Sequence, residues 1–305
     1  MATPRQSVRE VTVDADHDGQ RLDNFLMREI GSVPRSLVYR LIRTGQVRVD
    51  GGRAKPMRKL ARGETVRIPP VQATGGPASV PDGVIERIRG AIVHRQSELL
   101  VVDKPSGIAA QAGSGLAWGL SDAVARIVPD AVPVHRLDRE TSGLMVFAVG
   151  RTAAAELQKA FRERRVDKKY LALLDGRLRE DRVEVDAPLS KVRDGSGQHR
   201  VVVDEAGDAA RSTFQRLETI GHRDFVEVRI ETGRTHQIRV HAAHLGAPVA
   251  GDERYNERPD SVPGLERLFL HAAALRLPWP EDQLFGAPLP HDLDEPLDAL
   301  RGASA

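Results

Sequence analysis

Four prolines and three glycines crowd into the fifteen residues from Pro69 to Gly83. Proline fixes its own φ and donates no hydrogen bond, and glycine pays the largest entropy to be ordered. Neither a helix nor a central strand runs easily through such a stretch. It has no apolar periodicity and reads as a flexible linker. The 305 residues therefore divide unequally. The expected boundaries are a small domain over 19–70, a linker over 71–90 that lets this domain move, and a large domain over 91–300.

In the small domain, Leu22, Phe25, Leu26 and Ile30 mark one helix face. Ser32 looks like the cap of a second helix with Pro34 in its first turn, striped by Val33, Leu37, Val38, Leu41 and Ile42 and ended by Gly45. Val47 and Val49 alternate as a short strand, Asp50-Gly51 is a hairpin-turn signal, and Val66 and Ile68 form another strand. This order, with the runs Gly19-Gln20-Arg21-Leu22-Asp23 and Gln46-Val47-Arg48-Val49-Asp50-Gly51, resembles the S4 domain, a small RNA-binding module. A DNA-binding helix-turn-helix shares the two helices but fits the following basic hairpin less well.

Charge agrees with a nucleic-acid partner. Val33 to Pro69 holds ten basic and two acidic residues, a net +8 in a chain whose total is +2, so the remainder carries −6. Such asymmetry is the electrostatic footprint of a nucleic-acid-binding element, although a solvated basic face has the same composition. Arg35, Arg40 and Arg43 lie on the polar side of the second helix. Affinity for RNA is expected to depend on this segment and to fall steeply with salt.

The large domain alternates strands and helices. Leu99 to Val102, Tyr170 to Leu174, Val183 to Val185, Ser212 to Leu217, Phe225 to Ile230 and Leu268 to Leu277 read as strands. Ser121 to Val128 and Ala153 to Arg165 read as helices. The pattern predicts an α+β fold with a mixed, mostly antiparallel sheet. Asp194 to Gly197 and Asp204 to Asp208 read as exposed loops, and the tail after Pro280 is polar and acidic with weak structural signals.

The chain has no cysteine, which excludes disulfides and thiol nucleophiles. No apolar run approaches membrane-spanning length and Met1 to Glu10 lacks a signal-peptide core, so no membrane contact and a cytoplasmic location are expected. No glycine-rich phosphate loop or dinucleotide fingerprint is present, and no nucleotide cofactor is expected. His241 and His244 share a helix face near His236, but without cysteine or a placed carboxylate they read as structural, and no metal is expected.

His135-Arg136-Leu137-Asp138-Arg139-Glu140-Thr141-Ser142-Gly143 sets one carboxylate between two arginines in a polar loop flanked by apolar runs. Guanidinium charge favours the ionised form of a nearby carboxylate. The arrangement suits a nucleophile or base that works on an anionic polymer. A surface turn with a local ion pair fits the same residues.

This block resembles the H-R-L-D-x-x-T-S-G signature of the RluA family of pseudouridine synthases at every fixed position. Lys104-Pro105-Ser106-Gly107 is like the family's K-P-x-G turn, Lys168-Lys169-Tyr170 its K-x-Y element, and Gly233 to His241 its G-R-T-H-Q-I/L-R-x-H motif. The resemblance implies that Asp138 is catalytic and that Arg136 enters the RNA where the target base leaves. It also implies that Tyr170 lies in the active site and that Arg234 pairs with Asp138. From the residues alone, Tyr170 reads as core and Arg234 as a turn residue before a helix. Lys104 is a candidate phosphate contact.

Gly113 to Leu116, Tyr39 to Arg43 and Leu268 to Ala273 look closest to the C-type branch, which modifies large-subunit (23S) ribosomal RNA. Gln111-Ala112 departs from the His-Gly pair expected there. The implied reaction breaks the N1–C1′ bond, turns the uracil and joins C5 to C1′. It needs no cofactor, and the target nucleotide must first flip out. Asp138 would serve as nucleophile or base, and Tyr170 would pack on the uracil. A monomer is expected. The alternatives are transfer RNA as substrate, an inactive RNA-binding protein of ribosome assembly, or hydrolytic release of uracil.

Overall fold

The computed structural model describes residues 8–31, 33, 35–71, 80–112, 116–193 and 199–304. The chain divides into two units, Met1–Pro81 with Gln111–Gly119, and Asp82–Ala110 with Leu120–Ala305.

The first unit runs β1 (Arg9–Thr12), α1 (Leu22–Ile30), α2 (Arg35–Arg43), β2 (Arg48–Val49) and β3 (Thr65–Ile68). Its strands form one antiparallel sheet in the order β1-β3-β2. Leu22, Phe25, Leu26, Val38, Leu41 and Ile42 meet Val47, Val49, Val66 and Ile68 in one core. These are the helix faces and strand positions that the spacing predicts. Asp50 and Gly51 both take positive φ (47° and 74°), as a two-residue hairpin turn requires. The Ser32 cap and the Pro34 position lie outside the described residues. β1 has no sequence signature, because Val11 is its one partly buried apolar residue and its pairing is made by backbone.

The expected linker is shorter than 71–90. Asp82–Gly90 forms α3, in which Ile85 and Ile88, three apart, are both buried. Residues 72–79, on which the expectation of flexibility rests, lie outside the described residues.

The second unit continues with β4 (Ile92–Arg95), β5 (Leu99–Lys104), α4 (Leu120–Ile127), β6 (Ala131–Pro133), β7 (Ser142–Val149), α5 (Arg151–Arg162) and β8 (Asp167–Leu174). Then come β9 (Arg182–Asp186), β10 (Leu189–Arg193), β11 (His199–Val203), β12 (Arg211–Ile220), β13 (Arg223–Ile230), α6 (Gln237–His244) and β14 (Leu270–Leu277). β15 (Gln283–Gly286) and α7 (His291–Ser304) end the chain. The main sheet has the order β4-β5-β7-β14-β8-β13-β12-β9, with β6 beside β7 and β15 beside β14, while β10 and β11 pair separately. Among the described pairs only β7 with β14 is parallel, so the sheet is mixed and mostly antiparallel as expected.

That parallel contact explains Gly143. A Cβ there would lie 2.3 Å from the Ala272 carbonyl oxygen, and φ is +111°. Only glycine lets β14 approach β7 so closely. His271 reinforces the contact, with Nδ1 2.9 Å from Ser142 Oγ.

The tail is more ordered than its composition predicts. Leu293 and Leu297, four apart on α7, pack with Leu173, Phe225 and Phe269. Acidic residues surround this narrow stripe and Pro296 lies inside the helix, which hides its periodicity. The segment 204–208 is a turn with Glu205, Ala206 and Asp208 exposed, whereas 194–197 lies outside the described residues.

Candidate active site

The loop between β6 and β7 is fixed by residues that do no chemistry. The His135 ring stacks on Phe161 with centroids 4.7 Å apart, and its Nε2 accepts the Val146 N–H at 2.9 Å. Burial pushes the His135 pKa down to about 3, so the ring stays a neutral acceptor. Leu137 is buried, Arg136 and Arg139 are exposed, and Asp138 lies half-buried between them.

The turn 104–107 clamps the other side of this loop. Gly107 N–H donates to the Arg139 carbonyl at 2.9 Å and Ser106 Oγ donates to the Glu140 carbonyl at 2.7 Å. Lys104 corrects a sequence expectation. Its ammonium is fully buried and donates to the carbonyls of Pro105 (3.0 Å), Ile108 (2.8 Å) and Arg139 (3.1 Å). Three donors meet three carbonyls, so none is left for a phosphate. Burial lowers its pKa to about 7.

Arg136, Asp138, Tyr170, Arg234, His236 and Arg239 line one open cleft, with Leu137, Ile230 and Leu270 supplying apolar wall. Tyr170 comes from β8 and is buried, and its phenol is pushed well above the usual range by burial and by the Asp138 charge. It is a neutral hydroxyl at any ordinary pH.

The expected ion pair between Arg234 and Asp138 is not made. Arg234 sits in the turn before α6, where its Nε donates to the Ala209 carbonyl at 3.1 Å and its Nη1 lies 3.5 Å from Asp208. The guanidinium that faces Asp138 belongs to Arg239, with Nη1 3.6 Å from Oδ2. Arg239 is buried in the first turn of α6, and Asp252 fixes it through two 2.7 Å bonds to Nε and Nη2. This fork-to-fork contact leaves one edge of the guanidinium for Asp138. His236 is the second group there, with Nε2 3.9 Å from the same Oδ2 and Nδ1 2.7 Å from the Tyr255 hydroxyl.

A buried polar network seats α6. Gln237 Oε1 accepts from Thr232 Oγ1 (2.8 Å) and the Arg234 N–H (3.0 Å), and its Nε2 donates to the Arg211 carbonyl and Ser212 Oγ, both at 2.9 Å. His241 contacts Ser212 Oγ (2.9 Å) and the Ala187 carbonyl (3.0 Å), so both its ring nitrogens are occupied by protein. Among the described residues no group of three ligating side chains could hold a metal ion.

Sequence reasoning missed Arg239, His236, Asp252 and Tyr255 as site residues. Arg239 and His236 stand inside the singled-out block Gly233–His241, and spacing of three residues at a helix start puts them on one face. Asp252 and Tyr255 lie in an irregular turn that carries no local signal. In the first unit, Arg40 and Arg43 are exposed on α2, while the Arg35 side chain lies outside the described residues. Among the described residues no helix is long and apolar enough to cross a membrane.

A family model described as RNA pseudouridylate synthase matches residues 98–244, and the S4 domain model matches residues 20–66. The chain is 40% identical to ribosomal large subunit pseudouridine synthase C of Yersinia pestis, covering 99% of this chain and 98% of the relative. It is 38% identical to the protein of the same name from Escherichia coli (strain K12), over 99% and 100% of the two chains. The solved structure of human RNA pseudouridylate synthase domain containing 4 is similar to 72% of this chain and 96% of its own, with a TM-score of 0.62 and 26% identity.

Proposed function

This chain belongs to the RNA pseudouridylate synthase family, and on that premise we propose that it converts uridines of large-subunit ribosomal RNA to pseudouridine at Asp138. The observation that carries the assignment of residues is the grouping of Asp138, Arg239 and Tyr170 in one cleft, with Arg239 3.6 Å from the carboxylate.

The reaction moves no atoms in or out. The N1–C1′ bond breaks, the uracil turns, C5 bonds to C1′, the proton on C5 leaves and N1 ends protonated. The base must leave its stack, which costs a few kcal/mol. Arg136 is exposed at the mouth of the cleft and is the group that fills the vacated place. Leu137, Ile230 and Leu270 suit a flat ring, and Tyr170 packs on it as a neutral phenol. Asp138 attacks or abstracts while Arg239 holds its charge in place. A positioned cation of this kind stabilises charge without reorganising during the reaction. Arg40 and Arg43 contact phosphates from the S4 domain, which grips RNA outside the cleft. The large-subunit substrate rests on the names of the two bacterial relatives, and the cytoplasm is where such RNA is met.

The test is chemical. Purified chain is incubated with large-subunit ribosomal RNA lacking pseudouridine, and with transfer RNA in parallel. The expected result is mass-neutral conversion on ribosomal RNA alone, abolished by Asp138→Asn. Conversion by Asp138→Asn removes the role of Asp138, and release of free uracil replaces isomerisation with hydrolysis.

A further inference from the structure

His236 takes φ +55° and ψ +19°, a left-handed conformation that side-chain-bearing residues rarely adopt. It occupies the cap position of α6, yet its side chain makes no capping bond. A glycine would take this backbone without strain. Strain retained at a cleft points to work done by the side chain.

The ring's contacts define that work. The Val201 N–H donates to the Tyr255 hydroxyl oxygen at 3.2 Å. The hydroxyl proton is therefore free to point at His236 Nδ1, 2.7 Å away. Burial raises the Tyr255 pKa, so the phenol keeps that proton. Burial also lowers the His236 pKa, against the opposing charge of Asp138, so the imidazole is neutral. A neutral ring that accepts at Nδ1 carries its hydrogen on Nε2. Nε2 faces Asp138 Oδ2 at 3.9 Å, and the other tautomer would turn a lone pair toward the carboxylate. The Tyr255 ring is held in turn by the Arg239 guanidinium, 5.2 Å from its centroid. Arg239 also reaches Oδ2, so both contacts fall on one oxygen of Asp138.

We propose that His236 is a positioning residue for Asp138. The Tyr255 hydroxyl fixes it as the Nε2–H tautomer, and together with Arg239 it holds Oδ2 and leaves Oδ1 to react. This inference rests on the pseudouridine synthase reading for its kinetic half, and its structural half stands without it.

The kinetic test measures kcat and KM on large-subunit ribosomal RNA for the full chain and for His236→Gly, His236→Gln and Tyr255→Phe, with Asp138→Asn as the inactive reference. His236→Gly removes the ring and relieves the backbone. It should lower kcat roughly tenfold to hundredfold with KM within about twofold, the loss expected when a reacting group is misplaced rather than when substrate binding fails. His236→Gln restores a donor at the Nε2 point and should recover most of the rate. Tyr255→Phe should fall between the two. Wild-type kcat in His236→Gly overturns the inference, and so does an equal loss in His236→Gly and His236→Gln.

The second readout needs no substrate. The 15N imidazole spectrum of His236 should show the Nε2–H tautomer in the wild-type chain and a mixture in Tyr255→Phe. An Nδ1–H tautomer in the wild-type chain overturns the inference. A wild-type chain inactive on ribosomal RNA counts against the functional reading, and the spectrum still decides this one.

Discussion

Asp252→Asn is the substitution that most directly tests how the cleft is held. Among the described residues, Asp252 Oδ1 accepts from Arg239 Nη2 (2.7 Å), Arg254 N–H (2.9 Å) and Tyr255 N–H (3.1 Å), while Oδ2 accepts from Arg239 Nε (2.7 Å). Two backbone donors oblige the asparagine oxygen to keep the Oδ1 place. Its NH2 then faces Arg239 Nε, so a charge-assisted bond becomes a clash of donors. The carboxylate is fully buried and the guanidinium 7% exposed. Breaking such a pair from one side costs about 3–5 kcal/mol. The retained Oδ1 contacts put the expected loss at the lower end, about 3 kcal/mol. Arg239 loses its second prong and can rotate relative to Asp138, for which a roughly hundredfold fall in kcat is expected. Urea unfolding followed by circular dichroism reads the first quantity, and single-turnover conversion of ribosomal RNA reads the second. A pH series adds a signature. Burial alone would raise the Asp252 pKa, but the bonds to and charge of Arg239 hold it below the ordinary carboxylate range. A carboxylate depressed in the folded state stabilises above its unfolded pKa and loses that contribution as pH falls through the folded value. Asp252→Asn should erase this acid-limb contribution. Wild-type stability together with wild-type kcat in Asp252→Asn would refute the reasoning.

Three other outcomes follow from the geometry. Arg239→Ala should lower kcat by roughly a hundredfold to a thousandfold, whereas Arg234→Ala, which removes a half-exposed contact to Asp208, should change it less than tenfold; the reverse order would reinstate Arg234 as the partner of Asp138. Gly143→Ala should cost about 3 kcal/mol or more in urea unfolding, combining overpacking with a disallowed φ, because the new Cβ meets the Ala272 carbonyl at 2.3 Å; a wild-type midpoint would show that β7 and β14 can separate freely. Burial depresses the pKa of His135 to about 3 and of His271 to about 4, both from 6.5. The unfolded chain therefore binds more protons below pH 6.5, and stability should fall with pH by up to about 1.4 kcal/mol per unit for each residue. By the same linkage, His271→Asn should remove about half of that slope between pH 6 and pH 4, and an unchanged slope would mean that His271 protonates in place.

What could be read in advance follows the range of the interactions. The first unit was readable because its helices bury stripes with local spacing, Leu22 with Phe25 and Leu26, and Val38 with Leu41 and Ile42. α3 and α7 were not, because each buries two main apolar residues among charges, and the partners that make that burial worthwhile are distant in sequence. β1 and β15 join existing sheets through backbone groups, which carry no residue-type signal. The same limit applies to charge pairing. Lys104, in a turn, reads as a solvated cation until the chain folds three carbonyls around it. The Arg239 partner Asp252 is fixed by the turn that follows α6, not by spacing from any recognisable block.

The nine residues His135 to Gly143 show why such a block is informative and yet misassigns partners. Four positions, Arg136, Leu137, Asp138 and Thr141, line the cleft, and Arg136 and Asp138 bring its charged groups. The others hold the backbone. His135 accepts the Val146 N–H, Arg139 and Glu140 offer carbonyls to Lys104 and Ser106, Ser142 meets His271, and Gly143 lets β14 close in. Most of the pattern therefore specifies one backbone path, and that path delivers Asp138 to α6. A pattern fixed by backbone geometry identifies the reacting residue well, because that residue rides on the path. It says little about which side chain will arrive opposite, because that choice is made by α6 and by the anchor at Asp252. Arg234 and Arg239 are equally plausible when read along the chain. The first ends in an exposed contact with Asp208, whereas the second is buried, doubly bonded and aimed. Burial and a second carboxylate, neither visible in the motif, decide between them.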